Sequence, residues 1–348
     1  MQDASVAMPG GLFCSPSLPA SPWWLPGGNA QTIWSALYAQ RFQGDTPAFS
    51  RTRWNTPDGD FVDVDRLVEP ADCVTARAPL LVLFHGLEGS SSSHYVQAFA
   101  DVARQRGWGL SVPHFRGCSG EINLAPRAYH SGDHAEIDWM LARFRVENPG
   151  RPVLAAGVSL GGNALLRWAA EHGTRSAEKV AALAAISAPL DLAAAGESID
   201  QGFNRWVYAR MFLKTMVRKA EAKWRQFPGL FDLDLVRDAR TLYAFDNVFT
   251  APLHGFKDTE DYWSRAASKP RLGDVRVPAL VVNALNDPFV PSWSLPKGPP
   301  AGGYVSLWQP AQGGHVGFPA AHGACGFPGQ VWGMPDAVVD WLAQAAGV

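Results

Sequence analysis

Gly157-Val158-Ser159-Leu160-Gly161-Gly162-Asn163 is the stretch that decides how this chain is read. The apolar run Val153-Leu154-Ala155-Ala156 precedes it, and Ala164-Leu165-Leu166-Arg167-Trp168-Ala169-Ala170 follows. The first reads as a strand and the second as a helix. The heptapeptide between them is then the sharp strand-to-helix turn in which a nucleophilic serine is exposed. A serine in a strained turn needs neighbours without bulk, and Gly157 and Gly161 meet that need. Ser159 is the candidate nucleophile. The competing reading is a phosphate cradle at a helix N-terminus. It calls for a following Lys-Ser or Lys-Thr, where this chain has Asn163 and Ala164.

A serine hydroxyl is a weak nucleophile at neutral pH and needs a base beside it. His315, in Gly313-Gly314-His315-Val316-Gly317, follows the strand expected near Tyr304 to Leu307, and its glycines let the ring approach Ser159. His322 is the runner-up. The acid that orients the base is expected after the preceding strand, where Asn283-Ala284-Leu285-Asn286-Asp287-Pro288 puts Asp287 in a turn. Ser159, Asp287 and His315 stand in the chain order of a Ser-Asp-His triad. An oxyanion hole needs two backbone N–H groups. Leu160, next after the serine, is one candidate. Leu87, in His85-Gly86-Leu87-Glu88-Gly89 after the run Leu80 to Phe84, is the other.

The rest of the chain alternates strand and helix. Phe49 to Asn55 and Phe61 to Val68 are joined by Thr56-Pro57-Asp58-Gly59-Asp60 and read as an antiparallel hairpin. Buried strands are expected at 79–84, 110–112, 153–156, 180–186, 277–283 and 304–307, with helices at 93–106, 135–147, through 172, and 335–345. That rhythm predicts an α/β fold: a mostly parallel eight-stranded sheet with helices on both faces. It breaks in residues 190–272, which carry helical patterns and no clear strand and read as an inserted helical cap. Residues 1–48 read as an irregular N-terminal arm whose aromatics (Trp23, Trp24, Trp34) pack it onto the core, and 49–348 as the main domain.

Bulk properties narrow the function. The chain has 348 residues, enough for one large core and an insertion, and a net charge of −2, which gives nucleic acid no electrostatic purchase. Cys14, Cys73, Cys118 and Cys325 lack metal or redox spacing and read as reduced thiols. Prolines interrupt the N-terminal region before any signal-like apolar run, and no stretch is long enough to span a bilayer, so a cytoplasmic protein is expected. No metal and no cofactor are expected.

Several motifs together carry a family resemblance. His85-Gly86-Leu87-Glu88-Gly89, His114-Phe115-Arg116-Gly117-Cys118-Ser119-Gly120-Glu121, Tyr129-His130-Ser131-Gly132-Asp133 and the heptapeptide resemble the YheT-like branch of the α/β-hydrolases. Trp23-Trp24-Leu25-Pro26-Gly27, Gln31-Thr32-Ile33-Trp34 and Thr250-Ala251-Pro252-Leu253-His254-Gly255-Phe256 agree with it. The resemblance runs from about residue 22 to the C-terminus. It implies a serine esterase or lipase-like hydrolase with Ser159, Asp287 and His315 in the triad positions. Eukaryotic members often carry an N-terminal membrane anchor, which is not carried over to this chain.

His85, Arg116 and His130 are candidate substrate-binding side chains. Arg116 suits a carboxylate or phosphate, or else pairs structurally with Glu121 or Asp133; Cys118 reads as a packing residue. Arg210, Lys214 and Arg218, with Lys219 and Lys223 nearby, give a basic helix whose apolar side holds Phe203, Trp206, Val207 and Met211. Such a helix is either a solvated face or a peripheral contact with anionic lipid. The expectation is a carboxylic ester hydrolase for short- to medium-chain acyl esters of small molecules, working through an acyl-enzyme. The alternatives are an acylglycerol lipase or phospholipase acting at membranes, and a catalytically silent binding protein on the same fold.

Overall fold

The apolar runs become strands because both faces of the sheet are covered. The computed structural model describes residues 18, 20–68, 77–322, 327 and 329–348. Its strands are β1 (Phe49–Asn55), β2 (Phe61–Leu67), β3 (Leu80–Phe84), β4 (Gly109–Pro113), β5 (Val153–Val158), β6 (Ala182–Ile186), β7 (Ala279–Val282) and β8 (Val305–Trp308). They form one sheet in the order β1-β2-β4-β3-β5-β6-β7-β8. The strands β4, β3, β5, β6, β7 and β8 pair in parallel, while β2 runs antiparallel to β4 and β1 to β2. The sheet is eight-stranded and mostly parallel, as expected.

Successive side chains on a strand point to opposite faces. In β3, Leu80, Val82 and Phe84 enter one core with α3 (His134–Glu147) and α4 (Leu160–His172). Leu81 and Leu83 enter the other with α2 (His94–Gln105) and α12 (Gly333–Ala346). Two buried faces explain why these strands read as unbroken apolar runs rather than alternating ones.

Between β6 and β7 the described residues hold helices and no strand: α5 (Leu192–Ile199), α6 (Gly202–Asn204), α7 (Arg210–Gln226), α8 (Leu233–Asp238), α9 (Leu242–Phe245), α10 (Ala251–Leu253) and α11 (Thr259–Ala266). Wide π turns at Arg205–Ala209 and Asp246–Thr250 interrupt them. This segment has a small core of its own, built on Leu213, Val236, Leu242, Phe245 and Phe249.

The N-terminal region departs from expectation. Gly27–Leu37 is a helix, α1, not irregular chain. Its buried face is Gln31, Thr32 and Ser35, so no apolar periodicity betrays it. Trp24 and Trp34 meet edge to face at 4.9 Å, while Trp23 is 89% exposed. Residues 1–17 of the expected arm, and Cys14, Cys73 and Cys325, lie outside the described residues. Cys118 is a free thiol, pushed up to about 11 by burial. Among the described residues no helix is long and apolar enough to cross a membrane, and no cluster of three His, Cys, Asp or Glu side chains is arranged to hold a metal.

Candidate active site

The site lies at the carboxyl ends of the parallel strands, where open α/β sheets form their crevice. Ser159 follows β5, Leu87 follows β3, Asp287 follows β7 and His315 follows β8. Ser159 has φ 52° and ψ −120°, a conformation that a side chain adopts only under constraint. The constraint is visible. The Ser159 N–H donates to the Ile186 carbonyl at 2.8 Å. A Cβ on Gly161 would come within 2.5 Å of the Phe84 and His85 carbonyl oxygens, so the turn is pressed against the end of β3. The glycines serve close approach, and the positive φ falls on the serine itself.

His315 brings the other two groups together. Its Nε2 lies 3.0 Å from Ser159 Oγ. Its Nδ1 lies 2.9 Å from Asp287 Oδ2 and 3.2 Å from Oδ1. With the Nδ1–H directed at the carboxylate, Nε2 is left free to accept the serine proton. Asp287 is buried and accepts the N–H groups of Phe289 at 2.8 Å and Val290 at 3.2 Å, which fix its plane. The runner-up, His322, packs its ring on Trp332 instead.

Two N–H groups near Ser159 are unclaimed. In the loop after β3, the Gly86 N–H donates to Tyr95 Oη, the Glu88 N–H to Tyr129 Oη and the Gly89 N–H to the Gly86 carbonyl. No described residue accepts from Leu87. Leu160 opens α4, so its N–H belongs to the first turn, which has no partner within the helix. Backbone strain also gathers here. Among the described residues, the non-glycine residues of positive φ are Glu88, Ser159, Ser187, Val316 and Phe318, all in loops at this edge of the sheet. For a β-branched residue such as Val316 that conformation is a true outlier.

The comparisons agree with this architecture. The alpha/beta hydrolase fold family matches residues 79–319. Over 316 residues the chain is 37% identical to “Putative esterase YheT” of Escherichia coli (strain K12), covering 90% of this chain and 89% of that protein. The chain belongs to the YheT-like branch of the α/β-hydrolases. It is also 32% identical over 242 residues to Phospholipase ABHD3 of Mus musculus, covering 69% of this chain and 58% of that one. Among solved structures, Est1E from Butyrivibrio proteoclasticus aligns with a TM-score of 0.51 at 14% identity, over 87% of this chain and 100% of that one. That likeness speaks for the fold alone. By kinship the chain is an esterase- or lipase-like hydrolase.

The side chains of the YheT-like motifs outside the Ser159–His315–Asp287 line fall into two kinds, braces and cleft lining. His85 is fully buried and lines neither cleft beside Ser159. Its Nδ1–H donates to the Gly86 carbonyl at 2.8 Å and its Nε2 accepts the Phe115 N–H at 3.1 Å, so it braces the loop from within. Arg116 touches the wall of a cleft, but its guanidinium is engaged by three carboxylates. Nε donates to Glu136 at 2.6 Å, and Nη1 to Asp58 and Asp60 at 2.8 Å each. The partners expected from the sequence are taken elsewhere: Glu121 by Arg53 and Asp133 by Arg127. Arg116 thus ties the β1–β2 turn to α3. His130 lines a cleft as a neutral ring, its Nδ1 accepting the Gly132 N–H at 3.2 Å and its face packed on His254.

Burial is the main cause of low imidazole pKa values in this hydrolase: about 3 for His85, about 4 for His94 and about 3 for His130. An unfolded imidazole titrates near ~6.5, so between these values the unfolded chain binds more protons. The stability these groups contribute is full above about pH 6.5 and is lost as the pH falls towards about 3. The unfolding free energy from urea titrations is expected to fall steadily below about pH 6.5, by up to ~1.4 kcal/mol per pH unit for each imidazole, and the urea midpoint with it. His85→Asn should flatten the slope. A midpoint that does not move with acidification contradicts this account.

Sequence reasoning missed the part played by α1. Gln31 Oε1 accepts the Gly313 N–H and the Asn286 Nδ2–H, both at 2.9 Å, so one amide joins the His315 loop to the Asp287 loop. Thr32 Oγ1 accepts the His315 N–H at 2.8 Å. The available signal was a polar Gln-Thr pair inside an aromatic stretch. Asn163 plays a comparable part. Its Nδ2 donates to Ser131 and the Ala266 carbonyl, and its Oδ1 accepts the Ser268 N–H, holding α4 to the end of the helical insertion.

Two clefts meet at Ser159. One, of about 150 Å³, is apolar, runs under the insertion and is lined by Leu160, Leu192, Ala195, Phe245, Phe249 and Trp263. The other, of about 580 Å³, opens on the His315 side between α1 and the start of α7. Glu88 borders both. Its Oε1 accepts from Tyr129 Oη and Lys219 Nζ at 2.8 Å each, so α7 is tied to the loop that carries Leu87.

Proposed function

We propose that the chain hydrolyses carboxylic esters of short- to medium-chain acyl groups through an acyl-enzyme on Ser159. The observation that carries this reading is the unbroken line Ser159 Oγ to His315 Nε2 at 3.0 Å and His315 Nδ1 to Asp287 at 2.9 Å. Ser159 Oγ attacks the ester carbonyl carbon as His315 Nε2 takes its proton, and Asp287 stabilises the imidazolium. The Leu87 and Leu160 N–H groups donate to the oxyanion of the tetrahedral intermediate. Its collapse breaks the bond to the alkoxide, which leaves with the proton from His315. Water, deprotonated by the same imidazole, then releases the acid and restores Ser159.

This chemistry assigns the two clefts. His315 must reach the leaving oxygen, so the alcohol occupies the cleft that His315 lines. The acyl chain takes the narrow apolar cleft beneath residues 190–272, which act as its cap. In p-nitrophenyl esters of increasing chain length, Ala195→Phe, which fills the acyl side, is expected to move the preferred acyl group several carbons shorter and leave alcohol preference unchanged. Ala36→Trp, on the His315 side, should do the reverse. Identical effects of both would overturn the assignment, and hydrolysis of no ester would overturn the function.

The Lys219–Glu88 pair acts on this reaction through position. It lies beside Leu87 and touches no reacting atom. Losing an oxyanion donor outright costs about 100- to 1000-fold in kcat, so loosening one should cost about 10-fold. Lys219→Met is expected to lower kcat by that factor with KM nearly constant, and Lys219→Arg to recover most of it. A change confined to KM would make the pair a substrate contact instead.

A further inference from the structure

We infer that the rim of the His315-side cleft docks on an anionic lipid surface, with the cleft mouth turned to the bilayer. The sequence leaves the basic helix undecided between a solvated face and a lipid contact, and pictures its cations and apolar residues on opposite sides. The fold puts them on one side. In α7, Leu213, Ala220 and Lys223 face inward. Lys223 is buried and donates to the Asn123 and Ala125 carbonyls, and Lys219 is held by Glu88, so neither belongs to the outer face. Spacings of three and four residues place Met211, Lys214 and Arg218 together on the outer side, with Arg210 beside them.

The exposed apolar groups are large and contiguous along the chain: Phe203 is 52% exposed, Trp206 73% and Met211 54%. Across the cleft, the end of α1 offers Leu37 at 61%. Leu37, Val207 and Met211 line the same cleft as Ser159 and His315, so the patch is the lip of the site. Arg210, Lys214 and Arg218 are exposed, and none forms an ion pair with a described residue. Among the described residues Glu88 is the one acidic side chain lining the cleft, and Lys219 pairs with it.

Uncompensated cations interleaved with apolar side chains on one helix face match a surface that is itself anionic outside and apolar beneath. An exposed tryptophan beside them suits the boundary between the two. A protein partner seated on this lip would close the mouth, whereas a bilayer would deliver ester lipids to it. The delivery argument rests on the proposed ester hydrolysis; the docking itself does not.

Cosedimentation of the full chain carrying Ser159→Ala with phosphatidylcholine vesicles, with and without phosphatidylglycerol, separates the two. Tight binding is expected only when phosphatidylglycerol is present, and it should fall with salt. Reversing Arg210, Lys214 and Arg218 to Glu should weaken it at least about 100-fold, since each cation near a charged bilayer contributes about a factor of five. Trp206→Ser should weaken it further. In the Ser159 background neither change should alter turnover of soluble p-nitrophenyl butyrate. Absence of binding, equal binding to neutral vesicles, or a homodimer dissolved by Trp206→Ser overturns the proposal. Vesicle binding without hydrolysis of any ester would instead overturn the function and leave the docking standing.

Discussion

Ser159→Ala is expected to lower kcat on a p-nitrophenyl ester by about a million-fold, with KM little changed. A triad nucleophile is worth about that much when removed alone, or roughly 8 kcal/mol of barrier. The expectation rests on the 3.0 Å approach of His315 Nε2 to Ser159 Oγ. His315→Gln should cost nearly as much, because a hydroxyl without its base is a poor nucleophile. Asp287→Asn should cost less, about 10⁴-fold, through the wrong imidazole tautomer. The three act as a unit, so Ser159→Ala combined with His315→Gln should be no worse than either alone. Labelling by a fluorophosphonate probe gives an independent readout: the parent chain should label and Ser159→Ala should not. Labelling that persists in Ser159→Ala would falsify the assignment of the nucleophile.

The second large effect is on stability. Arg116→Met is expected to destabilise the fold by about 3–5 kcal/mol, the range for breaking a buried ion pair and leaving its partner uncompensated. Arg116 is 4% exposed at its side chain, and its partners Asp60 and Glu136 are 0% and 3% exposed. Burial pushes the Asp60 carboxyl up, but hydrogen bonds from Asn123, Leu124 and Phe61 outweigh it and hold the group down at about 2. Asp60 therefore stays charged at any working pH. Glu136 sits deeper and is pushed up to about 7 by burial and by Asp133. Neutralising it in Arg116→Met/Glu136→Gln should recover part of the loss in urea unfolding. If Arg116→Met instead leaves the urea midpoint in place and raises KM, Arg116 is a substrate contact after all.

These two residues mark how far the sequence could be read. Ser159, Asp287 and His315 were legible because each sits at a strand end in a turn rich in glycine, asparagine or proline. Chain order alone then puts three strand ends on one edge of a parallel sheet. Arg116 was also visible as a residue at a strand end. What it binds was not, because Asp58 and Asp60 lie in a hairpin turn and Glu136 on a helix, and only the sheet order brings these elements together. His85 looked like a site residue for the same reason and is a buried brace, whereas His130, which came from the family motif, lines the narrow cleft. A histidine after a strand gives no sign of which way its ring turns.

Helix α1 was missed for a different reason. Periodicity finds helices whose inner face is apolar, and the inner face of α1 is Gln31, Thr32 and Ser35. These side chains are buried because they satisfy the backbone of the loops carrying Asp287 and His315, through contacts some 280 residues away in the chain.

The sequence by itself determined the parallel sheet, the elbow and the chain order of Ser159, Asp287 and His315. These follow from local rules: apolar runs that need two covers, a serine whose turn tolerates no bulk, and loops at strand ends. Tertiary structure alone decided which polar side chains are braces, that α1 and α7 tie down the loops at Ser159, and that one face of α7 carries both cations and apolar groups. Such features depend on which groups lose their water and which atoms then satisfy them, and that is fixed only when distant segments meet.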